Sequence, residues 1–207
     1  MKTPLFFLLL SLPVLAQDFL PASLSLNFEE TKKSVIGGKE KKTFGRVDYK
    51  FPRQIRYEVL TPEDDRVTFV SNAKTSWLYT PPFMEGEEGQ VNVQGAELLP
   101  LSKFLDTLKN GLKTNPKYAV SFKGPKAFIK PGAELKKELQ MEEAILTTKS
   151  GSAEAAKSLA EFGELDLNYS NKQKVNMKFS DFKAGASFSD AHFVFVIPPK
   201  TKVSQGK

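Results

Sequence analysis

Apolar and polar residues alternate along most of the chain with a period of two. The pattern is clear at 24–28, 46–50 and 55–59, where each apolar residue is followed by a polar one. Such alternation is typical of strands with one dry face and one wet face. Further strand candidates lie at 66–71, 75–80, 118–122, 127–130, 137–147, 164–170, 174–182 and 192–197. Gly, Pro and Asn turn signals separate them, so we predict an antiparallel meander of about eleven strands.

A segment at 99–113 has the period of a helix instead. Its apolar residues recur at i, i+3, i+4, i+7 and i+11, which places them in one stripe along a helix. They are Leu101, Phe104, Leu105, Leu108 and Leu112. A helix with one apolar stripe needs an apolar surface to lie on, so we expect it to pack on the sheet.

A second, shorter helix is predicted at 152–162. Ser152 stands where a helix N-cap is expected, the segment is rich in alanine, and Gly163 stands where the helix would end. We expect this helix to be inserted between two strands.

The first sixteen residues have the pattern of an export signal. Lys2 supplies a positive charge, residues 5–15 are mostly apolar, and Val14-Leu15-Ala16 matches a cleavage site with small residues. The apolar run is too short to span a bilayer. A buried N-terminal segment is the alternative. Cleavage after Ala16 would leave residues 17–207 as a single domain that is secreted or periplasmic.

Composition excludes several classes of function. The chain has no cysteine, so disulfides, thiolate metal sites and cysteine nucleophiles cannot form. His192 is the single histidine, so a multi-histidine zinc site is excluded and a Ser/His/Asp triad would have to include it. An enzyme is therefore disfavoured, and we expect neither a metal nor a cofactor. The net charge of +6 favours anionic surfaces or partners, but the basic run at 39–42 lacks the aromatic residues that stack on nucleic acid.

Three motifs, taken together, resemble one family. The first is Gly45-x-Val47-x-Tyr49-Lys50-Phe51-Pro52 followed by Ile55-Arg56-Tyr57; the second is the Ser-Asn-Ala-Lys-Thr-Ser-Trp-Leu-Tyr stretch at 71–79; the third is Phe-Val-Phe-Val-Ile-Pro-Pro at 193–199. Their order and spacing are similar to those of LolA, the family of periplasmic lipoprotein carriers. The resemblance covers about residues 24–203.

The resemblance implies an α+β protein that is mainly β. We expect an open, unclosed antiparallel β-barrel of about eleven strands with a helical lid over an apolar cavity. LolA proteins receive acylated lipoproteins from an inner-membrane lipoprotein-releasing ABC transporter and pass them to an outer-membrane acceptor. The acceptor, LolB, is itself anchored through a cysteine, so a chain without cysteine resembles the carrier more closely. We expect a monomer that does not bind nucleic acid.

The candidate site consists of apolar side chains. The predicted acyl-chain cavity is lined by Phe28, Val47, Tyr49, Ile55, Tyr57, Val59, Phe69, Trp77 and Tyr79. The predicted lid residues are Leu101, Phe104, Leu105 and Leu108, and the predicted cavity mouth has Phe51, Phe83 and Met84. Alternation indicates burial but does not show whether the space is empty, so a filled core between sheet and helix is the alternative.

The chain departs from the family pattern in three places. The family has an arginine at the position of Phe51, where it holds the lid shut through hydrogen bonds that a phenylalanine cannot make. Arg53 or Arg56 could replace it. Too few residues precede the first strand for the family's N-terminal helix, and Asn72-Ala73 is a poorer turn pair than Asp-Gly. The alternative function is a periplasmic lipid- or glycolipid-binding protein, or a sensor of lipoprotein stress, with the same fold.

Overall fold

The computed structural model describes residues 18–33, 40–95 and 99–206. Twelve strands form a single sheet in these ranges. They are β1 (Ser23–Lys33), β2 (Glu40–Lys50), β3 (Gln54–Thr61), β4 (Val67–Asn72), β5 (Ser76–Thr80), β6 (Gly89–Gln94), β7 (Tyr118–Lys123), β8 (Lys126–Pro131), β9 (Met141–Thr148), β10 (Phe162–Tyr169), β11 (Lys174–Ala184) and β12 (Thr201–Gln205). Two α-helices accompany them, α1 (Pro100–Thr107) and α2 (Ala133–Leu139).

The sheet is unclosed. Its strand order is β12-β6-β5-β4-β3-β2-β1-β11-β10-β9-β8-β7, so β12 and β7 are the two edges. All neighbours are antiparallel except β12, which pairs in parallel with β6. These features confirm the predicted open antiparallel sheet, with twelve strands instead of about eleven. The connection from β6 to β7 passes from near one edge of the sheet to the other and carries α1.

One face of the sheet carries the core, and we call it the inner face because α1 packs on it. Leu26 of β1 pairs with Val47 of β2, and Val47 pairs with Tyr57 of β3, so these three side chains share a face. They belong to one apolar cluster with Phe104 and Leu105 of α1. The outer face carries Asp48, Val70 and Trp77 in the same ladder and is covered in part by residues 186–200.

Helix α1 confirms the helix predicted at 99–113, although it is shorter. Pro100 occupies the first turn of the helix. Backbone N–H groups in this turn have no acceptor within the helix, so the N–H that proline lacks is not needed there. The helix continues as a 3₁₀ turn over Leu108–Asn110 and ends at Gly111, whose φ of 79° suits glycine.

The prediction of a helix at 152–162 is wrong. The segment contains turns and a 3₁₀ helix at Leu159–Glu161, and Gly163 lies inside β10. The backbone N–H groups of Ala153 and Leu159 bond to Gly124 and Phe19, outside the segment, instead of forming a helical ladder. Both side chains are buried, which explains the apolar pattern.

Three further predictions need correction. The strand predicted at 137–147 begins only at Met141, because 133–139 form α2, whose two buried leucines give too short a pattern to be recognised as a helix. Strands β6 and β12 were missed because they have few buried residues and therefore show weak alternation: β12 lies at an edge of the sheet and β6 is its neighbour. The strand predicted at 192–197 is wrong: this apolar run forms a 3₁₀ turn at Asp190–Phe193 and then packs Phe195 against Tyr79 on the outer face.

The predicted signal, residues 1–16, lies outside the described residues. In the part of the chain that the structure describes, no helix has the length and apolarity needed to cross a membrane.

Candidate functional site

The apolar stripe of α1 lies on the inner face of the sheet. Phe104, Leu105 and Leu108 are buried there, and Leu101 is half-buried. Between helix and sheet remains a cavity of about 20 Å³. Its lining, which we call the α1 seam, consists of Leu26, Val47, Leu101, Phe104, Leu105, Leu108, Leu146, Leu159, Leu165, Met177 and Phe179. The volume suffices for about one water molecule, so side chains fill the space while α1 is in this position.

Seven of the nine predicted cavity residues share the inner face. They are Phe28, Val47, Tyr49, Ile55, Tyr57, Val59 and Phe69. Phe28 and Tyr57 stack with ring centroids 4.9 Å apart. Of the seven, only Val47 lines the small cavity itself.

Trp77 and Tyr79 lie on the outer face, which corrects the expectation that they line the same cavity. Leu78, between them, pairs with Phe69 and takes the inner position in β5. The ring of Tyr79 lies 5.1 Å from that of Phe195, in the segment that covers the outer face. Since both faces of β5 carry apolar residues, alternation alone did not show which set points inward.

The predicted cavity mouth is divided between two ends of the sheet. Phe51 lies in the turn between β2 and β3, at the end where Gln54 pairs with Asn72. Phe83 and Met84 follow β5, which runs away from that end, and they are 70% and 60% exposed. The three side chains therefore cannot border one opening.

Sequence reasoning missed the half of the seam that comes from later in the chain. Strands β9, β10 and β11 supply Leu146, Leu165, Met177 and Phe179, and Leu159 comes from the preceding 3₁₀ helix. The signal was present, because these strands alternate in the same way as β1–β3. What the sequence lacks is the strand order, which places β11 beside β1.

Helix α1 is fastened to the sheet through Asp106. Its carboxylate accepts hydrogen bonds from the Tyr49 hydroxyl at 2.5 Å and from the Arg53 backbone N–H at 3.2 Å. The Arg53 guanidinium lies 3.9 Å from the other carboxylate oxygen. We call these three residues the latch. Burial, together with the hydrogen bond to Asp106, raises the pKa of Tyr49, so its hydroxyl remains a donor.

The latch shows which of the two arginines near Phe51 contacts α1. Tyr49 and Arg53 make the contacts, while Arg56 lies on the outer face with its guanidinium 2.9 Å from Glu58. Phe51 contributes differently, since the Lys109 ammonium lies 5.5 Å from the centre of its ring. Lys109 also pairs with Asp18, so two contacts hold the end of α1.

Replacement of Asp106 by alanine should loosen α1 while leaving the sheet intact. The Tyr49 hydroxyl and the Arg53 N–H would both lose their acceptor. This loss should destabilise the packing of α1 on the sheet by about 1–3 kcal/mol. Hydrogen exchange in residues 100–110 should accelerate much more than in β2. As a control, Asp190→Ala removes a carboxylate that is 93% exposed and pairs with Lys50 on the other side of the sheet. Equal exchange in the two variants would show that the latch does not hold the helix.

A second polar cluster lies on the inner face around Glu30. This carboxylate is 5% exposed, pairs with the Lys32 ammonium at 2.7 Å and accepts from the Tyr57 hydroxyl at 3.3 Å. Burial and the charge of Glu30 raise the pKa of Tyr169 to about 12 and also raise that of Tyr57. Both phenols therefore stay protonated at ordinary pH and act as polar but uncharged groups.

His192 lies on the outer face. Its Nε2 is 2.8 Å from an oxygen of Asp48, which is 2% exposed, and its ring stacks on Phe188. Arg56 donates to the His192 carbonyl at 3.4 Å. These contacts fasten residues 186–200 to the sheet, on the face opposite the α1 seam.

Comparison with known proteins gave only structural matches. No family model matches the chain, and no curated protein matches it. Among solved structures, a LolA superfamily protein from Nitrosomonas europaea is similar with a TM-score of 0.47 and 9% identity, over 86% of this chain and 93% of that one. A DUF1329 family protein from Desulfovibrio piger has a TM-score of 0.34 and 10% identity, over 84% and 90% of the two chains. An outer membrane lipoprotein-sorting protein domain from Vibrio parahaemolyticus has a TM-score of 0.35 and 9% identity, over 83% and 89%.

Proposed function

We propose that this protein is a periplasmic carrier that shields the acyl chains of lipoproteins beneath α1 and transfers them from the inner to the outer membrane. The observation that carries this proposal is the α1 seam, a wholly apolar contact between a short helix and an unclosed sheet. The motif order at 45–57, 71–79 and 193–199 supports it independently.

Energetics favour reversible binding under a movable helix. A chain of about fifteen methylenes gains on the order of 10 kcal/mol when it leaves water. To admit such a chain, α1 must withdraw Phe104, Leu105 and Leu108, each worth about 1.5–3 kcal/mol of burial. For one acyl chain the helix thus offsets roughly half of the gain, which makes release of the load easier.

The proposed pathway has three partners. An inner-membrane lipoprotein-releasing ABC transporter would load the carrier, acylated lipoproteins would be its load, and an outer-membrane acceptor would unload it. The protein would act as a monomer, without catalysis, after export and cleavage behind Ala16.

The proposal is tested by identifying what the protein holds in its own periplasm. The purified protein is analysed by mass spectrometry for bound acylated ligands. Triacylated lipoproteins would support the carrier, and free phospholipid or glycolipid would favour the lipid-binding alternative. A protein that never holds an amphiphile would contradict both.

The place of binding is tested with Leu105→Asp. A carboxylate in the α1 seam should abolish acyl-chain binding, because a charge cannot be buried there without a partner. Circular dichroism should show an intact sheet. Leu60→Asp is the matched control, since Leu60 is 51% exposed and lies outside the seam. Unchanged binding in Leu105→Asp would remove α1 from the binding site.

A further inference from the structure

A groove of about 770 Å³ lies against α1 on the side away from the seam. The turn between β2 and β3, the segment before β7 and the start of α2 form its other walls. Its lining contains Phe51, Pro52, Arg53, Lys103, Asp106, Thr107, Lys109, Pro116, Lys117, Gly132, Ala133, Glu134, Leu135 and Glu138. The groove is far larger than the cavity in the seam, and the closed position of α1 does not fill it.

Four cations and three carboxylates line this groove, so the lining has a net charge of +1 before Asp18, the partner of Lys109 outside the lining, is counted. Lys103 pairs with Glu138 at 3.5 Å, and Lys109 pairs with Asp18. Arg53 reaches Asp106 only at 3.9 Å and is 59% exposed. Lys117 makes no ion pair with any residue in 18–33, 40–95 or 99–206. Arg53 and Lys117 are therefore the two cations most available to a bound anion.

Helix α1 is the wall between the groove and the seam. Lys103, Asp106 and Lys109 face the groove, while Phe104 and Leu105 face the seam. A ligand with an apolar chain and a polar end could place each part against a different side of the same helix. The groove is also part of the latch, because Arg53 and Asp106 both line it.

We propose that this groove binds an anionic group, a carboxylate or a phosphate ester, of the amphiphile whose chains enter the α1 seam. The proposal rests on the proposed function and adds the chemical class of the ligand's polar end. In an acylated lipoprotein this anion is a side-chain carboxylate of the polypeptide, because the acylated residue itself carries neither a carboxylate nor a phosphate. An anion bound to Arg53 in this groove competes with Asp106 for the Arg53 guanidinium. Binding of the polar end thereby weakens the latch and favours withdrawal of α1 from the sheet.

The test compares ligand pairs that differ in one charge. The purified protein is titrated with a fluorescent long-chain fatty acid and with its methyl ester at about pH 8, where the carboxylate is ionised. Two exposed ion pairs should give the acid an advantage of about tenfold over the ester, and the advantage should shrink with salt. Lysophosphatidic acid against monoacylglycerol repeats the comparison for a phosphate.

The variant Arg53→Gln/Lys117→Gln should lose this preference, measured as the ratio of acid to ester affinity within the variant, because the loss of the Arg53 guanidinium from the latch changes the affinity for all four ligands alike. Lys123→Gln/Lys126→Gln removes the same charge from exposed positions outside the groove and should keep the preference. The inference is overturned if wild type binds acid and ester equally, or if the groove variant keeps the preference. Failure of wild type to bind any of the four amphiphiles overturns the carrier proposal as well, whereas equal binding of all four overturns only the inference.

Discussion

Gly45→Ala should destabilise the protein more than any other change from glycine to alanine in the described sheet. A Cβ at Gly45 would lie 2.0 Å from the Glu58 carbonyl oxygen and 2.5 Å from the Phe28 ring. The oxygen belongs to the neighbouring strand and cannot move aside without separating β2 from β3. We expect a loss of about 3 kcal/mol, at the upper end for overpacking, and a decrease in Tm of about 6–12 °C.

The loss is measured by urea unfolding, followed by the fluorescence of Trp77, the single tryptophan. Gly163→Ala is the matched control within a strand, because its nearest neighbour is the flexible Lys149 side chain at 3.1 Å. The control should stay within about 1 kcal/mol of wild type. If both variants unfold at the same urea concentration as wild type, the close approach of β2 and β3 is not a constraint.

Phe104→Ala should cost about 3–5 kcal/mol of folding free energy and should also create room for a ligand. Phe104 is 2% exposed and lines the α1 seam. Its removal would enlarge an apolar cavity that now holds about 20 Å³. Apolar cavities of this kind stay dry and accept apolar molecules.

The two effects are separated by thermal unfolding with and without a fatty acid. The ligand should raise the Tm of Phe104→Ala more than that of wild type, because filling the cavity restores part of the lost packing. Phe83→Ala serves as the control. Because Phe83 is 70% exposed, the free energy of unfolding of this variant should differ from that of wild type by less than about 0.5 kcal/mol. A loss of stability with no response to the ligand would indicate that the seam is only a structural core.

The sequence predicted the inner face well where a strand is buried on one side. Leu26, Val47 and Ile55 alternate with polar residues, and each lies in the core. Helix α1 was predicted equally well, because five apolar residues at helical spacing cannot all lie on one face of a strand. Prediction was wrong at Trp77 and Tyr79, where residues 186–200 make the outer face apolar as well.

The latch could not be predicted because its members are distant in sequence. Asp106 lies in α1, and Tyr49 and Arg53 lie at either end of the turn between β2 and β3. Nothing in the local pattern of Asp106 distinguishes it from a solvated carboxylate. The groove could not be predicted for the same reason, since its walls come from four segments that are separate in sequence.

The sequence by itself determined the mainly β class, the strands of the inner face and the helix that needs an apolar partner, because periodicity records which side of a local element is buried. It also excluded cysteine chemistry through composition. The tertiary structure alone decided that β11 lies beside β1, that α1 closes the seam to about 20 Å³ and that Asp106 meets Tyr49. These features depend on strand order and on contacts between distant segments, which local periodicity does not encode.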